Sequence, residues 1–364
     1  MTKRYIVITA VLVATVIALT GCSTLDKTSG ILKSGEHTEG FVGVILPGSE
    51  PGTRWETSDR RFLQAAFDAA GVKVDIQNAN RDKVAFVAIA DQMISSGAKV
   101  LILVNLDSDS AKTVQDKAAT LGVKTIDYDR LTLNGSASYY VSFYNLIVGR
   151  LQGEGIQACL EAAGKKSARI VYLNGSPTDN NATLFKIGYD SVLRPFIDSK
   201  SYTLVDDQDV PDWDRSMAGV IFEQMLSKAG GKIDAVVAAN EGLGLEAVAV
   251  LKKKKLNGTV CVSGQDATVD GLRAILTGDL SVTVYKAIKA EAEAAVTLAV
   301  ALLKGAVPTN ITGSEFNGAI YVPTVLLTPV AITKAKVKDV IADGFQKRDD
   351  VCKDIEALCR ANGI

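Results

Sequence analysis

Short apolar runs rich in β-branched residues alternate with stretches of helical periodicity from residue 41 onward. A strand that is followed each time by a helix pairs in parallel with the next strand, because the helix returns the chain to the starting edge of the sheet. The alternation therefore predicts an α/β fold with parallel sheets covered by helices on both faces. The strands of the first half are predicted at FVGVIL (41–46), VKVDIQN (72–78), KVLILV (99–104) and KTIDY (124–128).

The alternation begins again after residue 145 and predicts a second domain of the same kind. A chain of 364 residues also fits two domains. No Pro-, Gly- or Ser-rich segment lies near residue 149, so tight crossings rather than a flexible linker are expected to join the domains. The strands of the second half are predicted at ARIVYL (168–173), YTLV (202–205), DAVVAA (234–239), TVCVSG (259–264) and LSVTVY (280–285).

Residues 1–21 have the pattern of a lipoprotein signal peptide. The basic start MTKRY precedes the apolar segment IVITAVLVATVIA, and Leu19-Thr20-Gly21-Cys22 resembles a bacterial lipobox. We expect cleavage before Cys22, lipid attachment to its sulfur, and a tether over residues 22–40, which are rich in Ser, Thr, Gly and charge. Two alternatives stay open, an uncleaved anchor and an incidental cysteine.

The charge of the chain argues against a nucleic-acid partner. The full chain has a net charge of −1, and loss of Lys3 and Arg4 with the signal leaves 38 of its 40 basic residues against 41 acidic ones, a net charge of −3. The run Lys252–Lys255 is interpreted as a solvated helix end. After the first segment, no apolar run is long enough and uninterrupted enough to span a bilayer.

Histidine and cysteine usage limits the chemistry. The single histidine, His37, lies in the expected tether, so a zinc site, a Ser-His-Asp triad and a Cys-His pair are not expected, and no cofactor is predicted. Cys159 and Cys261 lie in apolar contexts and are predicted to be core residues. In a continuous helix Cys352 and Cys359 would lie about 10 Å apart, so a disulfide between them requires a break in the helix. The sequence leaves this pairing open.

Polar side chains follow nearly every predicted strand. Ligands bind outside the carboxyl ends of the strands in open parallel sheets, so these side chains are candidates for one shared site. The stretch YLNGSPTDNNATLF (172–185) concentrates them where a strand gives way to a helix. In chain order the candidates are Arg54 and Trp55, Asp129 and Arg130, Asp179 to Asn181, Trp213, Asn240 and Glu241, Gln265 and Asp266, and Lys286.

This set of side chains suits a sugar. Asn and Asp pair with hydroxyls that both donate and accept, Arg provides a fixed fork of donors, and Trp55 and Trp213 offer flat surfaces to the apolar faces of a sugar ring. Each residue also has a simpler interpretation when taken alone. Asp179 and Asn180 could be helix caps, Asp129-Arg130 a surface ion pair and Trp213 a core residue. Their position at successive strand ends favours the binding hypothesis.

Seven short stretches match a known family. Through them, residues 41–345 resemble the monosaccharide-binding proteins of ABC transporters, the ribose-type cluster, and are most similar in pattern to its xylose-binding and multiple-sugar-binding members. GSPTDNNA and SGQDA are the more specific matches. The stretches are Thr53-Arg54-Trp55, Asp127-Tyr128-Asp129-Arg130-Leu131, GSPTDNNA (175–182), DAVV (234–237), SGQDA (263–267), Thr283-Val284-Tyr285-Lys286 and VPTVLLTPV (322–330).

The resemblance implies a periplasmic binding protein fold of type I. Two Rossmann-like parallel-sheet lobes are expected, joined by three crossover segments, with a ligand cleft between them. The crossings are expected near 143–148, 284–288 and 317–323. The expected boundaries are 41–145 plus 287–317 for the N-terminal lobe, 146–286 plus 318–345 for the C-terminal lobe, and 346–364 for a C-terminal tail.

The resemblance also implies a role for each candidate residue. Arg54, Asp129 and Arg130 of the first lobe are expected to hold the sugar, with Trp55 as a stacking partner. Asp179 is expected to cap its helix or to brace its neighbours. The residues expected to close on the sugar from the second lobe or the hinge are Asn180, Asn181, Trp213, Asn240, Asp266 and Lys286.

Three features depart from the family's usual pattern. Tyr144 and Glu241 stand where the family commonly has aspartates, so one carboxylate close to the cleft is lost and another is lengthened. The loop PGSEPGTRW (47–55) is longer than in the xylose type. These changes bear on which sugar is bound more than on the class of ligand.

The function expected from the resemblance is that of an extracytoplasmic, lipid-anchored sugar-binding protein of an ABC importer. It would bind a monosaccharide, xylose or a related aldose, act as a monomer, and deliver the sugar to a membrane permease without doing chemistry itself. The alternative is a sensor that presents its sugar to a chemoreceptor or histidine-kinase partner. A glycosidase using Asp129 and Asp266 is not expected, because both carboxylates lie among cations that would keep them ionised.

Overall fold

Strands and helices alternate along most of the chain in the computed structural model, which describes residues 40–49 and 54–364. The expected signal peptide, Cys22 and the tether as far as residue 39 lie outside these residues. The strands are β1 (Phe41–Leu46), β2 (Val74–Asn78), β3 (Ala98–Leu103), β4 (Lys124–Tyr128), β5 (Tyr139–Phe143), β6 (Ala168–Asn174), β7 (Tyr202–Asp209), β8 (Ala235–Ala238), β9 (Cys261–Val262), β10 (Thr283–Tyr285), β11 (Gly313–Phe316), β12 (Tyr321–Leu327) and β13 (Val330–Ile332).

Most strands are followed by a helix, as the alternation predicts. A π-helical turn at Trp55–Asp59 precedes the first α-helix, and 3-10 turns lie at Pro211–Trp213 and Lys334–Lys336. The α-helices are α1 (Arg60–Ala70), α2 (Lys83–Ser95), α3 (Ser108–Thr120), α4 (Asn145–Ala162), α5 (Asn180–Asp198), α6 (Arg215–Lys228), α7 (Glu241–Lys253), α8 (Val269–Thr277), α9 (Ile288–Leu303), α10 (Val337–Ala342), α11 (Arg348–Cys352) and α12 (Glu356–Ala361).

The first lobe is built on a seven-stranded sheet in the order β11-β12-β5-β4-β3-β1-β2. Its strands pair in parallel except β11, which is antiparallel to β12. Val44 and Ile45 are consecutive in β1 and therefore point to opposite faces of the sheet. Both are fully buried, and they belong to different apolar clusters. Helices thus cover both faces, which confirms the predicted α/β architecture.

The second lobe has a parallel four-stranded sheet in the order β7-β6-β8-β9. A bridge between Ser263 and Val282 continues it toward the antiparallel pair β10-β13. Three N-caps stand where strands give way to helices: Asp179 caps α5, Asn240 caps α7 and Thr268 caps α8, each accepting from a backbone N–H. Such caps satisfy the first N–H groups of a helix and hold polar side chains at one edge of the sheet.

One expected lobe boundary is wrong. Strand β12 pairs in parallel with β5, with Thr324 opposite Tyr140, so residues 321–327 belong to the first lobe and not to the second. The third crossing lies between Leu327 and Val330, where the chain passes from β12 to β13, and not at 317–323. A run such as VPTVLL has the same apolar character in either lobe, so its pattern cannot identify its neighbour in the sheet.

The C-terminal segment 346–364 is part of the second lobe and not a separate tail. Val351, Cys352 and Cys359 are completely buried in the lobe's apolar core. Cys352 and Cys359 form a disulfide with their Cα atoms 5.9 Å apart. The helix between them is broken, as the bond requires: α11 ends at Cys352 and α12 begins at Glu356.

Cys261 lies in the apolar core, as predicted, and Cys159 is partly buried against it. The two also form a disulfide, with Cα atoms 6.0 Å apart, which the sequence did not predict. The bond joins α4 to β9 across 102 positions of the chain. Apolar neighbours on both sides give no sign of pairing at such a separation. In the part of the chain that the structure describes, no helix has both the length and the apolar character needed to cross a bilayer.

Candidate functional site

A cavity of about 120 Å³ lies between the lobes at the carboxyl ends of their strands. Every predicted ligand-binding residue except Asn180 lines it. The predicted lining residues are Arg54, Trp55, Asp129, Arg130, Asn181, Trp213, Asn240, Asp266 and Lys286. Residues that lie far apart in the chain, from Arg54 to Lys286, thus meet at one place, as expected of strand ends in two facing sheets.

Arg54 is the centre of a buried charge cluster. Its Nε and Nη2 donate to both carboxylate oxygens of Asp59, at 2.9 and 2.7 Å. Nη2 also donates to Glu291 Oε2 at 2.9 Å, and Nη1 donates to Asp129 Oδ2 at 2.8 Å. A guanidinium has five N–H donors, so only one remains for a ligand. The main role of Arg54 is therefore to fix the carboxylates around it.

Asp129 joins this cluster to the cavity. Its Oδ2 also accepts from Lys286 Nζ at 3.0 Å. Burial by itself would raise the pKa of Asp129, but the charges of Arg54, Lys286 and Arg130 hold it well below its usual range. Its backbone has a φ of 61°, a left-handed conformation that is rare for a residue with a side chain. A rigid, permanently ionised acceptor results.

Asn181 and Asn180 have different positions although the sequence predicted the same role for both. Asn181 Nδ2 donates to the backbone oxygen and to Oδ1 of Asp129, at 3.0 and 3.1 Å, and its Oδ1 accepts from Asn145 at 2.8 Å. Asn181 therefore links the second lobe to Asp129 of the first. Asn180 begins α5, is only half buried, and is not brought to the cavity, so its predicted place there is wrong.

Asp179 both caps its helix and braces its neighbours, so both expected roles are confirmed. One oxygen accepts from the Asn181 backbone N–H at 2.9 Å, and the other accepts from Trp213 Nε1 at 3.1 Å. Arg130 Nε lies 2.9 Å from the same Oδ2 but is not aligned to donate to it. Arg130 Nη1 donates instead to the backbone oxygen of Asn105 at 2.9 Å. A buried donor of Arg130 thus remains without a hydrogen-bond partner among the described residues.

The two tryptophans lie at the cavity wall and not in the core. Trp213 is half buried, and its ring lies over Gly175, where an added Cβ would be 2.0 Å from Trp213 Cη2. Gly175 is therefore required for this close approach. The guanidinium carbons of Arg54 and Arg130 lie 4.5 and 5.3 Å from the ring centroid of Trp55. Such cation–π contacts hold the ring in place.

The carboxyl group of Asp266 has a higher pKa than the sequence predicts. Burial raises its pKa to about 6, against the opposing charges of Lys286 and Arg54 and with a further increase from Asp129. The expectation that nearby cations keep this carboxylate fully ionised is therefore wrong in mildly acidic solution. Its Oδ1 is buried without a hydrogen-bond partner among the described residues. That oxygen is available as an acceptor for a ligand.

The departures at Glu241 and Tyr144 lie outside the cavity lining. The Glu241 carboxylate is buried behind the loop after β9, where it accepts from the Thr268 backbone N–H at 2.8 Å and from the hydroxyls of Thr268 and Thr283. Burial raises its pKa to about 8. Gly271 leaves room for it, since an added Cβ would be 2.0 Å from Glu241 Cδ. Tyr144 is partly exposed at the first crossing.

Several cavity residues were not among the predicted contacts. Gln265 follows a predicted strand in the stretch SGQDA, but the resemblance implies no role for it. Phe185 and Leu106 give no sequence signal, because a buried apolar residue at a cavity wall looks like any core residue. The further lining side chains with charge are Arg81, Asp179, Asp212, Arg215 and Asp270. Among the described residues, no group of His, Cys, Asp and Glu is arranged to hold a metal ion.

Two parallel-sheet lobes, joined by three crossings and closed over a polar cavity, define a solute-binding protein of the two-lobed kind. The model of the periplasmic binding protein domain matches residues 42–306, and the chain belongs to this family. Its members are solute-binding proteins and not enzymes, which excludes the glycosidase hypothesis.

Named relatives are similar over most of the chain. The D-xylose-binding periplasmic protein of Escherichia coli (strain K12) is 35% identical over 299 residues, which cover 82% of this chain and 88% of that protein. The multiple sugar-binding periplasmic receptor of Rhizobium radiobacter is 31% identical over 356 residues, which cover 93% and 99%. An ABC transporter solute binding protein from Clostridium phytofermentans, solved with bound β-D-glucose, is 29% identical with a TM-score of 0.77, over 85% of this chain and 99% of that one.

Proposed function

We propose that this protein binds a neutral monosaccharide between its lobes as the extracytoplasmic component of an ABC importer. The observation that carries the proposal is the charge balance of the cavity, which has five cationic side chains and five carboxylates. An anionic ligand would disturb this balance, whereas neutral hydroxyls can donate to the carboxylates and accept from the cations. The charged residues are Arg54, Arg81, Arg130, Arg215 and Lys286, with Asp129, Asp179, Asp212, Asp266 and Asp270.

The ligand we favour is D-xylose or a related aldose. The relative from Escherichia coli is named for D-xylose, and the relative from Clostridium phytofermentans holds β-D-glucose. Trp213 and Trp55 supply flat surfaces for the apolar faces of a sugar ring. Arg130 Nε and Asp266 Oδ1 are a buried donor and a buried acceptor that make no hydrogen bond among the described residues, although Arg130 Nε forms an ion pair with Asp179. Such a pair suits a ligand whose hydroxyls both donate and accept.

Binding is proposed to be coupled to closure of the lobes. Contacts already join the lobes in this structure: Asn181 donates to Asp129, and Thr178 Oγ1 donates to the Leu106 backbone oxygen at 3.1 Å. A sugar that touches both walls adds free energy only to the closed form and shifts the equilibrium toward it. The closed form then presents a defined surface to a membrane permease.

Lipid attachment at Cys22 is proposed to hold the protein at the outer face of the cell membrane. Several acyl chains on one cysteine would contribute about 0.8 kcal/mol for each buried CH₂ group. A Cys22→Ser variant tests this anchoring. We expect the variant in the soluble fraction of cells while the wild type sediments with membranes. Equal sedimentation of both would contradict the proposal.

A thermal-shift screen tests the ligand class. We expect D-xylose, or one of glucose, arabinose, ribose and galactose, to raise the melting temperature of residues 23–364, because a ligand that binds only the folded state stabilises it. A sugar acid of the same size serves as the charged control and should give a smaller shift. A shift with the acid alone would overturn the proposal of a neutral sugar.

A sensory role is the second candidate. It is favoured by one relative, the protein of Rhizobium radiobacter, which is named a receptor. The same cavity could bind the sugar for transport or for sensing, so the two roles must be distinguished by a measurement in cells. Loss of sugar uptake on deletion of the gene supports transport, whereas normal uptake with loss of a sugar-dependent transcriptional or chemotactic response supports sensing.

A further inference from the structure

Gln265 lies in the cavity wall with an unused acceptor. The residue is 5% exposed, and its side-chain oxygen is buried without a hydrogen-bond partner among the described residues. A buried amide oxygen without a partner destabilises a protein unless a ligand or water satisfies it. The position therefore calls for a donor that the described protein residues do not supply.

The backbone around Gln265 is held on both sides. Its own backbone oxygen accepts from the Glu241 N–H at 3.2 Å, and the next N–H, of Asp266, donates to the Val284 oxygen at 2.9 Å. Asp266 has a φ of 110° and Ala267 a φ of 53°. Side chains of consecutive extended residues normally point to opposite sides of the chain. The left-handed backbone interrupts that alternation, and both Gln265 and Asp266 line the same cavity.

Strained backbone of this kind is kept where a site requires it. Glu241 supports the strained loop from behind through its bonds to Thr268 and Thr283. Gln265 Oε1 and Asp266 Oδ1 are thus two acceptors on consecutive residues of one rigid loop, both buried and both without partners among the described residues. Two hydroxyl donors of one ligand can satisfy them together.

We propose that Gln265 is a specificity-determining residue of this site, whose Oε1 accepts a hydrogen bond from one sugar hydroxyl beside the hydroxyl that donates to Asp266. The inference rests on the proposed function and names the ligand class more closely: a sugar that presents two donating hydroxyls to this loop. Arg130 Nε forms an ion pair with Asp179 at 2.9 Å but makes no hydrogen bond among the described residues, and it supplies the complementary contact to an accepting ligand oxygen. A sugar that lacks the hydroxyl facing Gln265 leaves the amide unpaired and is rejected.

The test compares each deoxy analogue of the bound aldose with its parent sugar, in the wild type and in Gln265→Met. Methionine has nearly the shape of glutamine but no amide. In the wild type, we expect removal of one particular hydroxyl to weaken binding about ten-fold or more. In Gln265→Met that same removal should change the affinity less than about two-fold, while the losses for the other hydroxyls stay as in the wild type.

Two further variants make the result specific. Gln265→Glu keeps an acceptor at the same place and should retain the dependence on that hydroxyl, even if its absolute affinity falls. Gln346→Met is the matched control, because Gln346 donates to the Ala267 oxygen of the same loop at 3.2 Å but does not line the cavity. Gln346→Met should lose affinity for each deoxy analogue, relative to the parent sugar, by the same factor as the wild type.

The possible failures are distinguishable. If the wild type binds none of the parent sugars, the proposed function fails and this inference fails with it. If the wild type binds but Gln265→Met shows the wild-type dependence on every hydroxyl, only the role of Gln265 is overturned. If Gln265→Met does not fold, as judged by circular dichroism, Gln265→Asn replaces it; its shorter amide should lose the same dependence, and an unchanged profile would overturn the inference.

Discussion

The side-chain amide of Asn181, in the second lobe, donates to the backbone oxygen of Asp129 at 3.0 Å and to its Oδ1 at 3.1 Å, in the first lobe. The same Asp129 accepts from Arg54 and from Lys286 through its other oxygen. One carboxylate thus receives donors from the first lobe, the second lobe and the second crossing. The Asn181 contact exists only when the lobes are close together, so it stabilises the closed form.

Replacement of Asn181 by alanine is expected to weaken sugar binding by about 1–2 kcal/mol, since it removes two interlobe hydrogen bonds to Asp129, one to its backbone oxygen and one to its ionised carboxylate. Titration calorimetry with the favoured sugar measures the loss. Asn180→Ala is the matched control, because Asn180 is the preceding residue of the same helix but does not reach the cavity. Its affinity should stay within two-fold of the wild type. Equal losses in the two variants would contradict the assignment.

Sugar affinity is expected to fall in mildly acidic solution because of Asp266. Its pKa of about 6 means that the acceptor facing the ligand gains a proton as the pH drops through that value. If only the ionised form accepts the sugar hydroxyl, binding at pH 5 should be about ten-fold weaker than at pH 8. Dissociation constants measured between pH 5 and 8 test this. Asp266→Asn should bind more weakly but without this slope. A flat wild-type profile would contradict the prediction that a change in the charge of Asp266 controls binding in this pH range.

Gly175→Ala is expected to disturb Trp213 without disturbing the fold. The new Cβ would lie 2.0 Å from Trp213 Cη2 and must displace the ring from the cavity wall. We expect a loss of binding of about 1–2 kcal/mol, close to that of Trp213→Ala. Gly219→Ala in α6 is the control, since the nearest heavy atom to its Cβ is 3.8 Å away. It should leave affinity unchanged and raise stability by about 0.5–1 kcal/mol.

Glu241 is expected to make stability fall with rising pH. Its pKa is about 8 in the folded protein and about 4.3 in an unfolded chain, so between these values the folded state binds the extra proton. The free energy of unfolding then decreases as the pH rises, by up to about 1.4 kcal/mol per pH unit. Gln cannot ionise, so Glu241→Gln should lack this decrease. Urea denaturation at pH 5, 7 and 9 measures the free energy of unfolding, with the exposed Glu223→Gln as control. If that free energy depends on pH in the same way in the wild type and in Glu241→Gln, the assignment is refuted.

The fold and much of the cavity lining could be predicted because both follow from periodicity. Alternating strands and helices place every strand's carboxyl end at one edge of a sheet, so polar residues such as Asp129 and Asp266 must meet there. Chemistry at those ends then indicates the class of ligand. The prediction of the fold and of the ligand class does not depend on exact packing, so it needs no knowledge of side-chain positions.

The remaining features depend on positions that the pattern does not specify. Asn180 and Asn181 are identical in type, and only the rotation of α5 brings one of them to Asp129. The sequence places Glu241 at a strand end beside the cleft, but the space left by Gly271 lets its carboxylate lie behind the cavity wall. The Cys159–Cys261 bond joins residues 102 positions apart, which no local spacing can reveal. Each of these is decided by tertiary packing.

The central claim is that one neutral sugar occupies the cavity between the lobes. Titration calorimetry of residues 23–364 with D-xylose and D-glucose, followed by the same titration of Asp129→Asn, tests it most directly. We predict saturable heat with one sugar bound per chain for at least one aldose, and loss of that heat in Asp129→Asn, where the acceptor shared by Arg54, Lys286 and Asn181 loses its charge. No heat with these sugars or with arabinose, ribose and galactose, or undiminished binding by Asp129→Asn, would contradict the account.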